Sequence, residues 1–239
     1  FMKFSNCHGK HIGYNSQLST EEKNGFIVGG EVITDRTDNR ALVPLVEKTE
    51  ENIQDKVEQV AADNGYWSSE EFLKLDEKVD LVIATSAPKK ETKFGFEDFT
   101  FINERDVFVC KNNKELKYLK EQVCSGVKYR VYVASKGDCK DCKYKTQCLS
   151  KRNSLKYTGR KISFAPEVEK IRDKVKKRYH SQEGKQIYSK RQYISESAFG
   201  IIKNVMKFRK FSLRGLKKVN IEWLFVILAF NIRKEIILM

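Results

Sequence analysis

Hydrophobic and polar residues alternate near the start of the chain and recur at helical spacing further on. Residues 11–18 and 26–33 are short β-type runs on either side of a polar turn, which predicts an antiparallel hairpin. Apolar residues at helical spacing follow Asp38, so we expect a helix that this residue caps.

A strand, a helix and a second strand come next. Residues 57–62 form an apolar run that ends at Asp63. A short helix is predicted over about 68–77, because two glutamates lie in its first turn. Residues 80–85 then form a further apolar strand. Together these patterns predict an α/β core.

The pattern changes at residue 88. Residues 88–160 are polar, rich in lysine and irregular in period, which indicates an insertion with too few apolar residues to fold unaided. Long helical patterns follow, covering about 166–183, 188–207 and 214–236. The predicted domain division is therefore 1–87, 88–160 and 161–239.

The most apolar run of the chain covers residues 223–230. It is far shorter than the roughly 20 residues needed to span a bilayer, so we expect a buried helix and no membrane partner. We also expect core positions for the nearby aromatic residues, which are Phe208, Phe211, Trp223, Phe225 and Phe230.

The positive charge belongs to the C-terminal third. The net charge is +14, and residues 151–239 hold 23 Lys and Arg against 7 Asp and Glu. A one-sided positive field attracts polyanions such as nucleic acid. We expect phosphate contacts from a basic cluster around one turn, which includes Lys207, Arg209, Lys210 and Arg214.

Three of the six cysteines form a C-x2-C-x5-C pattern, namely Cys139, Cys142 and Cys148. Thiolates at C-x2-C spacing bind Zn²⁺ readily, because a tight turn directs two sulfurs at one tetrahedral centre. Cys110, at the end of a β-like run, is preferred over Cys124 as the fourth ligand. No secretory leader opens the sequence, which favours metal over disulfides and a cytoplasmic location.

Two carboxylates are candidates for a divalent-metal site. Asp63 follows a buried strand and precedes Asn-Gly, which places it at the sheet rim where α/β proteins bind ligands. The alternative is that it only turns the chain or caps the next helix. Glu196 lies in a basic helical stretch and either joins Asp63 or forms ordinary surface pairs. Converging carboxylates can hold Mg²⁺ or Mn²⁺ for phosphodiester displacement.

The sequence resembles the DDE transposases of bacterial insertion sequences, in the branch with a cysteine-bearing insertion in the catalytic domain. Besides the spaced cysteines, the resembling stretches are IGYNSQLS, GFIVGGEV, VAADNGYWSSEE, YSKRQYISESAFGIIK and FSLRGLKKVNIEWLFVILAFNIRK. The resemblance implies an RNase-H-like mixed sheet with flanking helices, a small zinc-ribbon-like insertion and a helical C-terminal third. It also implies phosphodiester hydrolysis and strand transfer on double-stranded DNA, at element ends and target.

The resemblance also assigns residues. Asp63 would be the second catalytic acid and Glu196 the third. Tyr188, Arg191 and Lys203 match, with Glu196, a Tyr-Arg-Glu-Lys signature that contacts DNA near the cut. The separation between Arg191 and Glu196 is one residue longer than the signature usually shows.

The position implied for the first acid falls upstream of Phe1. Asp35 and Asp38 are the nearest substitutes, but they follow the second hairpin strand, whereas the first acid belongs on the strand before the hairpin. We therefore expect an incomplete transposase without unaided activity. The alternatives are a non-catalytic nucleic-acid-binding protein, which uses the basic third and a zinc module, and a structural zinc-ribbon protein. A homodimer formed when the protein is bound to DNA is compatible with the transposase function.

Overall fold

The computed structural model describes residues 13–76, 78–85, 94–149 and 159–239. These residues belong to two compact units. Unit 1 combines residues 1–85 with residues 171–239, and unit 2 covers residues 86–170. Both strands and helices are present, so the predicted α/β class is confirmed.

The described elements are as follows. The strands are β1 (Asn15–Thr20), β2 (Ile27–Ile33), β3 (Gln59–Ala62), β4 (Asp80–Ile83), β5 (Phe99–Ile102), β6 (Val107–Cys110), β7 (Glu115–Cys124), β8 (Val127–Ala134) and β9 (Lys161–Phe164). The α-helices are α1 (Leu42–Ile53), α2 (Ser69–Leu75), α3 (Lys136–Lys140), α4 (Lys145–Cys148), α5 (Pro166–His180), α6 (Gln182–Arg191), α7 (Ser197–Gly200) and α8 (Leu216–Leu238). Short 3-10 helices cover Asn64–Tyr66, Phe96–Asp98 and Asn103–Arg105, and π-helices cover Gln192–Glu196 and Ile201–Val205.

The first two strands of unit 1 form the predicted antiparallel hairpin, with Asn15 opposite Ile33. The predicted start of the first strand, at residues 11 and 12, lies outside the described residues. The outer edge of β2 is covered by two side-chain amides of α8. Asn231 bonds both the N–H and the C=O of Ile27, and Asn220 does the same for Val32. These bonds satisfy backbone groups that an edge strand would otherwise leave unpaired.

Strands β3 and β4 pair in parallel, and α2 connects them as the sequence predicts. The helix begins after Ser68, whose side chain accepts a hydrogen bond from the Glu71 N–H. Phe72 and Ile83 are fully buried in the core around this pair. The buried residues of α5 that pack in this core are Ile171 and Val175.

Helix α8 is half-buried, which corrects the prediction of a buried helix. Trp223 and Phe230 point into a core with the hairpin and α7, and the Trp223 indole donates to the Gln17 carbonyl at 3.0 Å. Leu224 and Phe225, by contrast, are exposed. The core prediction for Phe225 is therefore wrong, because an apolar run of this length covers every face of a helix while only one face packs.

Asp38 does not cap α1. The N-cap position is Ala41, which makes no side-chain capping bond. The Asp38 carboxylate instead accepts hydrogen bonds from the amides of Asn15 and Gln17 on β1. The cap prediction is wrong because two side chains on the same face of the strand donate to the carboxylate oxygen Oδ1 of Asp38. They compete with the backbone N–H groups of the helix for this carboxylate.

Unit 2 contains a five-stranded antiparallel sheet in the order β5-β6-β7-β8-β9. Its centre is apolar, with Phe108, Leu116 and Tyr132 fully buried. This segment therefore has an apolar core of its own, which its polar composition did not suggest; whether it folds unaided stays a prediction. Aromatic side chains each bury a large area, so a few of them form a core that the average polarity of the segment conceals.

Among the described residues, no helix combines the length and apolar character that crossing a membrane requires.

Candidate active site and cysteine cavity

Asp63 stands directly after β3, in extended backbone conformation. One carboxylate oxygen accepts the Gly65 N–H at 2.8 Å and so caps the short helix of residues 64–66. The other oxygen faces Arg191. One oxygen of Asp63 therefore caps the turn, while the other is directed towards Arg191 and is not used by the cap.

Arg191 connects Asp63 with Glu196. One guanidinium nitrogen lies 3.0 Å from Asp63 Oδ2 and the other lies 3.3 Å from Glu196 Oε1. The Arg191 side chain is 14% exposed, whereas Asp63 and Glu196 are 45% and 60% exposed. A largely buried cation thus joins two carboxylates that are far apart in sequence.

A π-helix explains how Arg191 reaches Glu196. Residues Gln192–Glu196 are π-helical, with bonding between residues five apart instead of four. In an α-helix, residues three or four apart share a face, so a separation of five would direct the two side chains apart. The wider π turn brings them together again, and it takes up the extra residue in the spacing between Arg191 and Glu196.

A third carboxylate lies beside Asp63. Asp38 Oδ2 and Asp63 Oδ1 are each 2.9 Å from the point that a Cβ on Gly65 would occupy. Any side chain at Gly65 would therefore collide with both acids. Asp35 and Asp38 were the nearest substitutes in sequence for the first acid, and the fold brings Asp38 close to Asp63, the predicted second acid.

Sequence reasoning missed a polar network beneath these acids. Gln17 is buried, and its amide donates to Asp38 at 2.8 Å and to Asn15 at 2.9 Å. The Tyr66 hydroxyl donates to the side-chain amide oxygen of Gln17. Burial raises the pKa of Tyr66, and the Asp38 and Asp63 carboxylates raise it further. The available signal was two amide side chains, at residues 15 and 17, on one face of a strand.

The acids open onto a cavity of about 460 Å³ within unit 1. Its polar lining includes Asp38, Asp63, Arg191 and Glu196, while its apolar side comes from β1, β3 and α1. A cavity of this size with a few convergent polar groups is the usual form of a binding site.

Of the remaining signature residues, Tyr188 lies beside Arg191 and Lys203 lies further along the chain, beside Phe199. The Tyr188 ring stands 5.7 Å from the Arg191 guanidinium carbon, and burial raises the pKa of the Tyr188 phenol. Lys203 is exposed, with its ammonium 5.4 Å from the centre of the Phe199 ring. Tyr188 therefore supports the arginine, whereas Lys203 projects into solvent further along the helix.

The basic cluster occupies the segment between the second π-helix and α8. Its side chains are all exposed: Lys207, Arg209, Lys210 and Arg214. Glu222 of α8 fixes this segment by accepting the N–H groups of Ser212 and Leu213 at 2.7 and 2.9 Å. Tyr14 accepts the Gly215 N–H at 3.0 Å. The cluster is thus presented on a segment tied to α8 and to the start of β1.

Four cysteines of unit 2 line one small cavity of about 20 Å³: Cys110, Cys139, Cys142 and Cys148. Cys124 is exposed at the end of β7 and is not among the lining residues. Burial raises the pKa of the Cys148 thiol, the Arg160 guanidinium lowers it, and the other three thiols raise it again. The four sulfurs are therefore close enough to influence each other.

Neither site is in metal-ligating geometry. Within residues 13–76, 78–85, 94–149 and 159–239, no group of three or more His, Cys, Asp or Glu side chains is arranged to hold a metal ion. At the acid site the reason is visible, since the Arg191 guanidinium stands between Asp63 and Glu196.

A family model described as the transposase DDE domain matches residues 109–236, more than half of the chain. The chain belongs to this family. The match includes Glu196, Arg191 and the four cysteines of the cavity, while Asp63 precedes it. No curated protein and no solved structure gives a significant match. Membership associates the chain with transposition and with a DNA substrate, and it implies a divalent metal, typically Mg²⁺.

Proposed function

We propose that this protein is the catalytic part of a transposase that hydrolyses a phosphodiester at insertion-sequence ends and transfers the freed strand to target DNA, with Asp63 and Glu196 as two of its three catalytic carboxylates. That the chain lacks the first acid and has no unaided activity stays a prediction. The observation that carries the proposal is the convergence of Asp63 and Glu196 on one guanidinium. The two carboxylates come from separate elements and both contact one positive group. The space between them is therefore suited to a cation. Membership of the DDE family supports the same reaction class.

The chemistry of the donor set fits Mg²⁺ or Mn²⁺, which prefer carboxylate oxygens. When bound, such a cation helps to activate a water or hydroxyl and stabilises the leaving oxygen. The residues of the chain that would hold it are Asp63 and Glu196. Their exposure leaves room for a DNA strand to approach.

Basic side chains would hold the DNA in place. Arg191 lies at the acids, Lys203 projects from the following helix, and the exposed basic cluster continues the positive surface towards α8. Phosphate contacts position a duplex without reading its sequence. Tyr188 would act through Arg191, since its ring stands beside that guanidinium.

The proposal includes an RNase-H-like arrangement for unit 1, with unit 2 as the insertion between the Asp63 and Glu196 segments. The hairpin, α1 and the parallel pair β3 and β4 support it by their order along the chain. The proposal requires the two pairs, which form separate two-stranded sheets, to belong to one layer. A solved structure of the chain would test it directly.

Mn²⁺ binding by the full chain provides the first test. We expect the Asp63→Asn and Glu196→Gln variants to lose affinity by about tenfold or more, because each removes a charged ligand. Glu47→Gln, on the exposed side of α1, is the matched control and should bind as the wild type does. Equal binding by all four proteins would contradict the assignment.

Nicking of a plasmid that carries insertion-sequence ends then separates catalysis from binding. Mn²⁺-dependent nicking that disappears with Glu196→Gln supports the proposed reaction. The alternative is a non-catalytic nucleic-acid-binding protein, favoured by the exposed basic cluster. Salt-sensitive DNA binding without nicking by either protein would support that alternative.

We also propose that the cysteine cavity is a structural Zn²⁺ site. Four thiols line it, and its volume is about 20 Å³. A water molecule needs about 10–15 Å³ of such space, so the cavity has room for a single ion. Cys110, Cys139, Cys142 and Cys148 would supply a tetrahedral thiolate set. The sulfurs would have to lose their protons and move into ligand distance.

Metal analysis of protein purified under reducing conditions tests the zinc site. We expect about one equivalent of zinc, and a loss of most of it in Cys142→Ser. Cys124→Ser, on the exposed end of β7, should retain it. Wild-type protein with less than about a tenth of an equivalent would rule the site out, because structural zinc is held tightly.

A further inference from the structure

Arg191 differs from the basic residues around it in where its charge is directed. Its neighbour Lys190 also lines the cavity, but its ammonium pairs with Glu22 and its side chain is 57% exposed. Arg191 is 14% exposed and bonds Asp63 and Glu196. Of these two adjacent cations, only Arg191 lies at the acids of the proposed catalytic site.

The contact competes with metal binding. A carboxylate oxygen that accepts a guanidinium N–H has fewer lone pairs for a metal, and the fixed positive charge opposes a second cation nearby. The geometry is consistent with this conflict, because one carboxylate oxygen of Asp63 and one of Glu196 each meet a nitrogen of the Arg191 guanidinium.

We propose that Arg191 is an internal counter-cation of the acid site, which a divalent metal displaces, and that the displaced guanidinium then binds a DNA phosphate. The proposal rests on the proposed function, since it uses the same acids and the same DNA. Arg191 is a positioning residue in this scheme: it keeps the two carboxylates together without metal and turns to DNA when metal binds.

The π-helix gives the exchange a structural basis. The five-residue turn between Arg191 and Glu196 is what directs both side chains to one face. The Tyr188 ring lies beside the guanidinium, with its centre 5.7 Å from the guanidinium carbon. The arginine therefore leaves the acids by rotating its own side chain, without any change in the helix.

The scheme predicts positive coupling between metal and DNA. Metal releases Arg191 for phosphate, and phosphate holds Arg191 away from the acids. Each ligand therefore strengthens the other by the same factor, because coupling between two sites is reciprocal. In a protein without Arg191 this coupling disappears.

The first measurement is Mn²⁺ affinity of the full chain without DNA, by titration calorimetry. We expect Arg191→Gln to bind Mn²⁺ about tenfold more tightly than wild type, within the usual range for coupled sites. Lys190→Gln removes the same charge one residue away and should change the affinity by less than about twofold. Arg191→Lys keeps the charge but loses the two-pronged geometry. Its Mn²⁺ affinity should therefore lie between that of the wild type and that of Arg191→Gln.

The second measurement is the affinity for a short labelled DNA duplex with and without Ca²⁺, which should occupy the acids without supporting cleavage. We expect Ca²⁺ to strengthen DNA binding by the wild type and by Lys190→Gln about fivefold or more. Arg191→Gln should show no such gain. Circular dichroism of each variant checks that the fold is retained.

Weaker Mn²⁺ binding by a folded Arg191→Gln would overturn the proposal, because it would make the arginine a support for the metal and not its competitor. An unchanged Ca²⁺ gain in Arg191→Gln would overturn the transfer to DNA. Failure of the proposed function has a different signature: Mn²⁺ affinity would then be the same in wild type and Glu196→Gln.

Discussion

The acid site of unit 1 and the cysteine cavity of unit 2 are organised in different ways. Asp63 and Glu196 come from separate elements and are held by polar contacts on a half-exposed surface. Three of the four cavity cysteines, Cys110, Cys139 and Cys148, pack against an aromatic core in which Phe108 and Tyr132 are fully buried. The first site depends on charged partners, whereas the second depends on packing.

This difference suits the chemistry expected of each site. Oxygen ligands that exchange a cation and contact DNA need access to water. At an exposed position their charges also avoid the free-energy cost of burial. Thiolates that hold one ion permanently benefit from a closed, apolar surrounding. The comparison therefore predicts that core substitutions act most strongly in unit 2 and electrostatic substitutions in unit 1.

Phe108→Ala should have the largest effect. Removing a fully buried phenylalanine costs about 3–5 kcal/mol, and it should expose the cavity thiols. Reactivity of the four cavity thiols, located by mass spectrometry of the labelled protein, reports on unit 2. Both tryptophans, Trp67 and Trp223, report on unit 1. We expect thiols of the variant to react at much lower denaturant than those of the wild type.

Leu119→Ala is the control for that substitution. Leu119 lies on β7 of the same sheet and is 50% exposed, so its truncation should change stability by about 0.5 kcal/mol or less. Equal thiol protection in Phe108→Ala and Leu119→Ala would mean that packing does not hold the cavity together.

Arg178→Lys should have the next largest effect, in unit 1. Arg178 binds both oxygens of Asp80 and also Glu183, with distances of 2.6–2.9 Å, and it is 22% exposed. Lysine cannot reproduce the two-pronged contact. We therefore expect the free energy of unfolding to fall by about 1–2 kcal/mol, a value between those typical of exposed and of buried ion pairs. Tryptophan fluorescence during denaturation measures it.

Arg130→Lys in unit 2 gives the matched comparison. Arg130 also binds an aspartate through two nitrogens, but it and Asp106 are 42% and 40% exposed. We expect a loss below about 1 kcal/mol, because solvent screens this pair more. A larger loss for Arg130→Lys than for Arg178→Lys would reverse the proposed difference between the units.

The sequence predicts most of the elements around these sites, because their signals are local. The hairpin, strands β3 and β4, and the helix that connects them each follow from residues close together in the chain. Asp63 and Glu196 could also be singled out from their positions after a strand and in a basic helix. What brings them together, through Arg191, is a property of the whole fold.

The features that sequence reasoning missed depend on non-local competition. Asp38 looks like a helix cap, yet Asn15 and Gln17 take its carboxylate. The one-residue discrepancy in the signature looks like a defect, yet a π-helix absorbs it. Average polarity conceals the aromatic core of unit 2, since Phe108 and its neighbours become a core only when distant strands pair.

Acid should weaken unit 1 through Asp80. Hydrogen bonds from Arg178 hold the pKa of Asp80 below its usual value. A lowered folded-state pKa gives stability above the unfolded value, about 3.9, and this stability is lost as pH falls through the folded value. The stability difference between wild type and Asp80→Asn should therefore shrink below about pH 4.

The expected change is small, about 1 kcal/mol or less, because Asp80 is partly exposed. Tryptophan fluorescence at several pH values measures it, and Asp55→Asn, on an exposed loop, should show no such trend. A difference between wild type and Asp80→Asn that stays constant from pH 6 to pH 3 would contradict this origin.

The smallest effect concerns DNA binding by the basic cluster of unit 1. Arg209→Gln combined with Lys210→Gln removes two exposed charges. If each neutralises one phosphate, the slope of log affinity against log salt should fall by about 2. Lys117→Gln combined with Lys120→Gln removes two exposed charges from β7 in unit 2 and should leave the slope unchanged. Equal falls in both double variants would mean that net charge, not a located DNA surface, governs binding, because only contacts at the interface release counterions.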